Sequence, residues 1–487
     1  MDWSQSLRLI APEEILTVTG LVLLLVAAWS GDKASRLISI LCVAALAAAA
    51  IVVAPALCGG LMGPDRQAFG DQYRADAFAS FTKILIYGAA AVSLMVAPVF
   101  FERFKAMRAE YPLLILFAAL GMGMMVSASN LLTLYIGLEL NSLASYVLAS
   151  FLRPDNRSAE AGLKYFVLGS LASGILLFGM SLTYGFTGTT SFEGIRVALD
   201  GGLSNGALFG IVFVLAGLAF KISAVPFHMW TPDVYEGAPT PVTTFFATAP
   251  KVAALALTMR ITLDAFGSQA DAWRQIVIFA SLASIVVGAL GAIGQANIKR
   301  LMAYSSINNV GFMLIGLAAA TPAGASSMLV YLVIYVAMSL GGFVAVLMLK
   351  DENGDQIEQI SQIAGLSRTR PGIAVAMAMV MFSLAGIPPL FGFWGKFVVF
   401  QAAVGAGLIP LAAIGIAASV IGAFYYLKIV KIMYFDEPVD AVKGQSDWAH
   451  YAILIVTSVF ISPLGYLLTK WLGGLADTAA TALFLAA

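Results

Sequence analysis

The chain reads PFHMWTPDVYEGAPTPV from Pro226 to Val242, between two strongly apolar segments. The four prolines in this stretch prevent a continuous helix, because proline lacks a backbone N–H and clashes with the preceding turn. A lysine lies in the apolar segment on each side, Lys221 before the prolines and Lys251 after them. Irregular backbone and charged side chains are not stable in contact with lipid. We therefore expect this break to face protein or a water-filled cavity.

The composition is that of a membrane protein. The 487 residues are 60% hydrophobic and 11% charged, with a mean hydropathy of +0.91. A water-soluble domain cannot bury that much apolar surface, so we predict an all-α polytopic membrane protein. Lys plus Arg equals Asp plus Glu, at 27 each, which argues against a nucleic-acid partner. The two cysteines, Cys42 and Cys58, indicate no disulfide, metal or cluster site, and the two histidines are too few for haem, so we expect no cofactor in this chain.

The hydropathy pattern predicts about fourteen transmembrane helices, at roughly 20 apolar residues per span. The first apolar run has no cleavage-site pattern after it, so we expect a retained helix rather than a signal peptide. The expected organisation has four parts. They are an N-terminal three-helix region (1–112), two repeats (113–263 and 264–436) and a C-terminal helix (437–487).

A second broken helix is predicted from SLAGIPPLFGFWGK, between Ser383 and Lys396. Its core, GIPPLFGFW, loosely echoes AVPFHMW between Ala224 and Trp230. By our count the two breaks fall in helices 7 and 12, and an odd offset of five helices means that the two run in opposite directions. We therefore predict an inverted-topology repeat of helices 4–8 and 9–13, with functional groups at the broken helices.

Positive charge predicts the orientation, because cytoplasmic loops are rich in lysine and arginine. Lys and Arg are concentrated in the loops on one side, namely at Lys33, Arg36, Arg103, Lys105, Arg108, Arg153, Arg157, Lys299, Arg300, Lys350, Arg368, Arg370 and Lys443. With fourteen helices, both termini then lie on the periplasmic side.

Two ionisable residues belong to consecutive predicted helices. Glu139 lies eight residues into its helix, too deep to reach water, so it needs a partner or a proton. It is either a proton carrier or a protonated carboxyl that bonds a nearby Asn or Ser. Lys164 lies nearer a loop and either extends to the membrane surface or pairs with Glu139, since opposite charges lower the cost of burial.

Four more candidates belong to the two breaks. Lys221 and Lys251 flank the first break, whose free carbonyls can accept hydrogen bonds from an ammonium group. Lys396 follows the second break and is either functional or a donor to local carbonyls. His228 lies inside the first break, as a proton carrier or as a packed, hydrogen-bonding ring.

Other polar residues leave two alternatives open or receive no role. Hydroxyls and amides on predicted helices 10 and 11 either hold waters between the lysines or bond one helix to the next; they are Tyr304, Ser305, Ser306, Asn308, Asn309, Tyr331 and Tyr335. Lys83, Arg260, Lys428 and Lys431 lie near predicted helix ends, where we expect them to extend to the membrane surface.

The chemistry of the buried candidates suits proton transfer. Burial can lower the pKa of a lysine by three or more units, into reach of neutral pH. A change of two to three units corresponds to about 3–4 kcal/mol. Moving one charge across 100 mV costs about 2.3 kcal/mol, so the two quantities are comparable. We find no nucleophile–base pair, phosphate-binding loop or metal-ligand spacing in the sequence.

The segment from Lys221 to Lys251 closely resembles the antiporter-like subunits of respiratory complex I. The run HMWTPDVYEGAPTP, which begins at His228, is long and specific to that family. The likeness covers the chain from about Leu113 to Phe435. It implies two inverted five-helix repeats with broken helices 7 and 12.

The resemblance also implies which residues transfer protons. By position, Glu139 resembles the family's helix 5 glutamate and Lys164 its helix 6 lysine. Lys221 and His228 resemble the lysine and histidine of helix 7. Lys251 and Lys396 resemble the lysines of helices 8 and 12. A sister subunit has glutamate at the helix 12 position.

The resemblance implies a proton-translocating subunit in the membrane arm of NADH–quinone oxidoreductase, in the bacterial inner membrane and bound to other membrane subunits. NADH, flavin, iron–sulfur clusters and quinone reduction would then belong to other subunits, with no redox chemistry in this chain. The alternative is a subunit of a multi-subunit cation/proton antiporter. The sequence DVYEG from Asp233 to Gly237 and the lack of a long C-terminal extension argue against it. A structural scaffold would predict that the buried charges are dispensable.

Overall fold

The computed structural model describes residues 3–57, 67–444 and 447–484. Cys58, one of the two cysteines, lies outside these residues. Two short antiparallel strands, β1 (Gln67–Ala68) and β2 (Tyr73–Arg74), accompany the helices. The first helices are α1 (Trp3–Leu9), α2 (Ala11–Ser30), α3 (Ser35–Leu57), α4 (Ala77–Arg103), α5 (Glu110–Ser127), α6 (Leu131–Ala149), α7 (Asn156–Thr187), α8 (Phe192–Asp200), α9 (Asn205–Ile222), α10 (Trp230–Gly237) and α11 (Thr240–Phe246).

The second part of the chain continues in the same way. A π-helical turn, Ile261–Ala265, follows α12 (Ala249–Arg260). The remaining helices are α13 (Ala270–Ile293), α14 (Ile298–Ala318), α15 (Pro322–Met348), α16 (Leu366–Thr369), α17 (Pro371–Ala385), α18 (Phe391–Gly405), α19 (Ile409–Phe435), α20 (Trp448–Ile461) and α21 (Thr469–Phe484).

Within the described residues, 11 helices are long and apolar enough to cross a membrane, or 12 if the bent pair of α20 and α21 forms one span. This confirms the all-α polytopic fold. The number of fourteen stays a prediction. It requires α2 and α3, which pack against each other, to be separate spans, and α17 with α18 to form one more.

The chain divides into two compact units. The first consists of Met1–Ile222, Thr248–Ile276 and Gly474–Ala487, and the second of Ser223–Ala247 and Val277–Gly473. In the first unit the buried helix α12 packs against α4, α5 and α9. In the second unit the almost completely buried helix α15 packs against α11, α14, α17, α18 and α20. The predicted repeat bounds of 113–263 and 264–436 stay a prediction.

Both predicted helix breaks are present. α9 ends at Ile222, and the helix resumes only at Trp230 as α10. Pro226 lies in this break, because a proline has no backbone N–H to donate to the preceding turn. Pro232 and Pro241 lie within the short helices α10 and α11. A second interruption separates α11 from α12, so that Lys251 lies in the first turn of α12 rather than deep in one continuous helix.

The other break has a well-defined helix end. α17 ends at Ala385, followed by Gly386 in the left-handed region with φ +80°. The Gly386 N–H bonds the Ser383 carbonyl at 3.0 Å, and the Ile387 N–H bonds the Phe382 carbonyl at 3.1 Å. This is a Schellman motif, which satisfies earlier carbonyls of the last turn. The Ala385 carbonyl remains available to another donor.

Two glycines set the distance between α5 and α6. A Cβ atom added at Gly121 would lie 2.6 Å from the Gly137 carbonyl oxygen, and one at Gly137 would lie 2.8 Å from the Gly121 oxygen. Only glycine permits this approach, since the obstructing atoms belong to the backbone. The contact fixes α6 against α5 two residues before Glu139.

Candidate functional site

Lys221 lies in the last turn of α9 and contacts two other helices of the first unit. Its Nζ donates to the Ser142 hydroxyl of α6 at 2.7 Å and to the Ser173 hydroxyl of α7 at 3.4 Å. The ammonium group also lies 5.9 Å from the centre of the Tyr146 ring. These acceptors are neutral, so they hold the ammonium without forming an ion pair.

Glu139 lies one turn before Ser142 on α6 and is partly buried. Its Oε1 is buried and has no hydrogen-bond partner in the part of the chain that the structure describes. The carboxylate attracts the ammonium of Lys221 electrostatically. The structure therefore relates Glu139 to Lys221, a relationship that the sequence analysis did not predict.

Lys164 lies on α7 with 40% of its side chain exposed. Its Nζ lies 2.7 Å from Oε1 of Glu160, one turn earlier on the same helix. The pairing of Lys164 with Glu139 stays a prediction.

Lys251 is 1% exposed in the first turn of α12. Its Nζ donates to the carbonyl oxygen of Ile222, the last residue of α9, at 3.1 Å. The last carbonyls of a helix have no partner inside the helix and carry the negative end of its dipole. The first break therefore provides an acceptor for the ammonium of Lys251.

Lys396 repeats this arrangement at the second break. It is 6% exposed, and its Nζ donates to the carbonyl oxygen of Ala385, the last residue of α17, at 2.9 Å. The Ser419 hydroxyl accepts at 3.3 Å, and the Phe312 ring centre lies 4.5 Å away. A largely apolar cavity of 610 Å³, lined by Lys396 and Gln401 among others, adjoins the ammonium group.

His228 lies inside the first break and is half-buried, with its ring near the Pro226 backbone. Its Nδ1 is buried and forms no hydrogen bond with any described side chain or backbone group. The arrangement leaves one ring nitrogen available for a proton or a water.

Polar side chains of α14, α15 and α19 form a direct network in the second unit. The Tyr331 hydroxyl donates to Asn309 Oδ1 at 2.7 Å, and Ser306 bonds Tyr335 at 2.7 Å. Ser305 bonds Tyr426 by a short hydrogen bond. Five of the seven predicted residues, namely Ser305, Ser306, Asn309, Tyr331 and Tyr335, thus bond one helix to the next. Asn308 instead donates to the Ile285 carbonyl of α13.

A charge cluster that the sequence analysis missed holds α10 in the second unit. We call it the α10 clamp; its members are Asp233, Glu236, Asn297, Lys299, Arg300 and Glu358. Arg300 Nη1 bonds Asp233 at 2.6 Å and Glu236 at 3.0 Å. Lys299 Nζ donates to the carbonyls of Glu236 and Ala238 at 2.9 and 2.7 Å, at the C-terminal end of α10. The acidic residues of DVYEG, Asp233 and Glu236, were the signal in the sequence from which this cluster could have been predicted.

The expected surface position is wrong for Lys83 and Arg260, which are 2% and 0% exposed. Lys83 pairs with Glu13, and Arg260 Nη2 lies 2.8 Å from Asp76 Oδ1. Both residues lie near helix ends, as predicted, but other chain segments cover them. Lys428 and Lys431 are exposed, as expected.

Comparisons with known proteins agree on one family. A sequence model of the family described as "NADH:quinone oxidoreductase/Mrp antiporter, TM" matches residues 128–422. The chain is 70% identical over 486 residues to "NADH-quinone oxidoreductase subunit N" from Erythrobacter litoralis (strain HTCC2594), and the match covers 100% of both chains.

Solved structures show the same relationship. A chain of "Respiratory complex I from Thermus thermophilus with bound Aureothin" has a TM-score of 0.82 at 31% identity, over 96% of this chain and 99% of that chain. A chain of the "Mrp complex from Dietzia sp. DQ12-45-1b" has a TM-score of 0.82 at 24% identity, over 98% of each chain, which shows a shared fold.

Proposed function

This chain belongs to the NADH:quinone oxidoreductase/Mrp antiporter transmembrane family, and from that membership we propose that it acts as a proton-translocating subunit in the membrane arm of NADH–quinone oxidoreductase. Its partners are the other membrane subunits of that complex. Flavin, iron–sulfur clusters, NADH and quinone are handled by other subunits. The protein lies in the bacterial inner membrane with both termini on the periplasmic side.

One observation carries the proposal: each helix break holds a buried lysine on the last carbonyl before the break. Lys251 bonds Ile222 and Lys396 bonds Ala385. Neither ammonium has a carboxylate within ion-pair distance among the described residues. A backbone carbonyl stabilises the charged amine without fixing it as a permanent ion pair, so each lysine can accept and release a proton.

The other candidates fit this function by their positions. Glu139 supplies a negative charge that favours a proton on Lys221. Lys164 modulates that pair from α7, and His228 carries a proton within the first break. With Lys251 and Lys396, these four residues make up the six proton-transfer groups that we assign.

The alternative is a subunit of a multi-subunit cation/proton antiporter, which the Dietzia match supports at the level of the fold. Affinity purification of the tagged chain in mild detergent, followed by mass spectrometry and flavin and iron analysis, separates the two. We expect copurification of flavin- and iron–sulfur-containing subunits. Copurification of an antiporter set without flavin or iron would overturn the proposal.

A further inference from the structure

Three polar side chains of the first unit form a buried triad of Glu13, Tyr73 and Lys83. The Tyr73 hydroxyl donates to Glu13 Oε2 at 2.8 Å, and Lys83 Nζ donates to the Tyr73 oxygen at 2.6 Å. Lys83 Nζ also lies 2.5 Å from Glu13 Oε1. The hydroxyl of Tyr73 thus bridges an amine and a carboxylate. None of the six residues assigned above belongs to this triad.

The residues around the triad are closely packed, and one of their buried hydroxyls lacks a hydrogen bond among the described residues. Tyr87 is fully buried, and its hydroxyl has no hydrogen-bond partner among the residues that the structure describes. A Cβ atom added at Gly123 would lie 2.5 Å from that hydroxyl and 3.0 Å from Glu13 Oε1. An unpartnered buried hydroxyl beside a carboxylate is a position at which proteins hold an ordered water.

The carboxylate of the triad adjoins a cavity. This cavity has a volume of about 530 Å³; its lining is largely apolar, and its polar members include Glu13, Glu14, Gln72 and Tyr73. A volume of this size holds several waters, since one water occupies about 30 Å³ in the liquid. Glu13 therefore contacts the buried Lys83 and also borders a space large enough to hold water.

Two buried ion pairs lie near the end of α12, and one of them is within electrostatic range of Lys83. Arg260, at the end of α12, bonds Asp76 at 2.8 Å, and Arg74 bonds Asp264 at 2.7 Å. The charges of Asp76 and Arg260 also act on Lys83. Oδ2 of Asp76 and Nη1 of Arg260 lack hydrogen-bond partners among the described residues, and they face the same need for water. Lys251 lies nine residues before Arg260 on α12, or about 13 Å along the helix.

We propose that Glu13, Tyr73 and Lys83 form a further proton-transfer site, which passes protons between the buried charges of the first unit and the cavity beside Glu13. The inference rests on the proposed proton-translocating function. A proton leaves Lys83 Nζ for the Tyr73 oxygen while the hydroxyl proton of Tyr73 passes to Glu13 Oε2. Lysine becomes neutral, tyrosine is restored and the carboxylate becomes a carboxylic acid. Glu13 then releases its proton to water in the cavity, and Lys83 takes up the next.

The bridging tyrosine suits this role. Burial, together with the neighbouring charge of Glu13, raises the pKa of Tyr73 well above its ordinary value. The hydroxyl therefore keeps its proton at neutral pH and stays a donor to Glu13. A hydroxyl that both accepts and donates can relay a proton between two titrating partners.

A double variant separates proton transfer from a structural ion pair. Glu13→Gln with Lys83→Met removes both charges at similar volume, and such replacements are often neutral for stability. A structural pair therefore predicts an assembled complex with wild-type pumping. Proton transfer predicts an assembled complex whose proton pumping in proteoliposomes falls about tenfold or more. The matched control, Glu110→Gln with Arg153→Met, removes an exposed pair and leaves pumping unchanged.

Two further variants, Tyr73→Phe and Lys251→Ala, test the bridging hydroxyl and the underlying function separately. Tyr73→Phe keeps the ring and removes only the bridging hydroxyl, so wild-type proton pumping in this variant or in the double variant overturns the inference. Lys251→Ala in the same assay tests the underlying function. If only Lys251→Ala lowers pumping, the proposed function holds and the role of the triad is refuted. Wild-type pumping in all variants overturns both.

Discussion

The ammonium nitrogen of Lys251 lies 3.1 Å from the carbonyl oxygen of Ile222, the last residue of α9. Twenty-nine residues separate the two, and the helix break creates the acceptor. The pairing of Lys396 with Ala385 uses the same kind of acceptor, although its lysine comes from the second half of the same broken helix. A break in a membrane helix thus leaves a backbone carbonyl without its helical partner, and a buried lysine bonds it.

Lys251→Ala should assemble and yet lower proton pumping by about tenfold or more, because a positioned proton-transfer group is lost. Lys251→Arg should fail as well, since a guanidinium does not release its proton in the working range. The measurements are the proton-to-electron ratio and NADH–quinone turnover of the purified complex. The control is Lys428→Ala, which removes an exposed lysine that also bonds a backbone carbonyl. Wild-type values in both Lys251 variants would exclude this lysine as a proton carrier.

Glu139→Ala should impair pumping more than Glu139→Asp, because aspartate keeps the negative charge near Lys221. In infrared difference spectra, Lys221→Ala should shift the carboxyl band of Glu139, whose charge acts on that ammonium. Lys164→Ala tests the pairing predicted from the sequence and should shift the same band. A carboxyl band that is identical in wild type and in both variants would contradict the assigned coupling.

Lys299→Met should loosen α10 by about 1–3 kcal/mol of local opening free energy, since the ammonium bonds two carbonyls at the end of that helix. Hydrogen–deuterium exchange of peptides covering 230–237 measures the effect, and faster exchange is expected there. Lys443→Met, which removes a lysine from exposed ion pairs, should leave these peptides unchanged. Equal protection in Lys299→Met and wild type would show that the clamp does not hold α10.

Gly121→Ala should destabilise the assembled complex by about 1–3 kcal/mol, because the new Cβ would lie 2.6 Å from the Gly137 carbonyl oxygen. Gly174→Ala on α7 is the matched control, since nothing lies within 4 Å of its added Cβ. Graded heating followed by native gel electrophoresis measures the fraction that stays assembled. Equal thermal stability of the two variants would contradict the close packing of α5 on α6.

The orientation predicts labelling from opposite sides of the membrane. With Cys42 and Cys58 replaced by serine, a cysteine at Met107 should react with an impermeant maleimide only from the cytoplasm. One at Gln67 should react only from the periplasm. The physical basis is the concentration of Lys and Arg in the loops on the side of Met107. The reverse labelling pattern would refute the orientation.

The sequence by itself determined the features that depend on local chemistry. Composition alone requires a membrane protein with many helices, and the structure has them. The prolines around Pro226 and Pro388 predicted both helix breaks, because a proline has no N–H to donate to the preceding turn and its ring clashes with that turn. The apolar residues on both sides of Lys251 and Lys396 along the chain predicted that these lysines are buried, and the structure agrees.

The tertiary structure decided which groups meet. Near a helix end, a charged side chain reaches the surface unless another segment covers it, and sequence cannot say which segment does. Arg260 is covered and paired with Asp76, 184 residues earlier, and Arg74 is paired with Asp264, 190 residues later. The electrostatic interaction of Glu139 with Lys221 likewise depends on the packing of separate helices. Local sequence fixes where a chain bends and what it buries, whereas partners distant in sequence are selected only when whole helices pack.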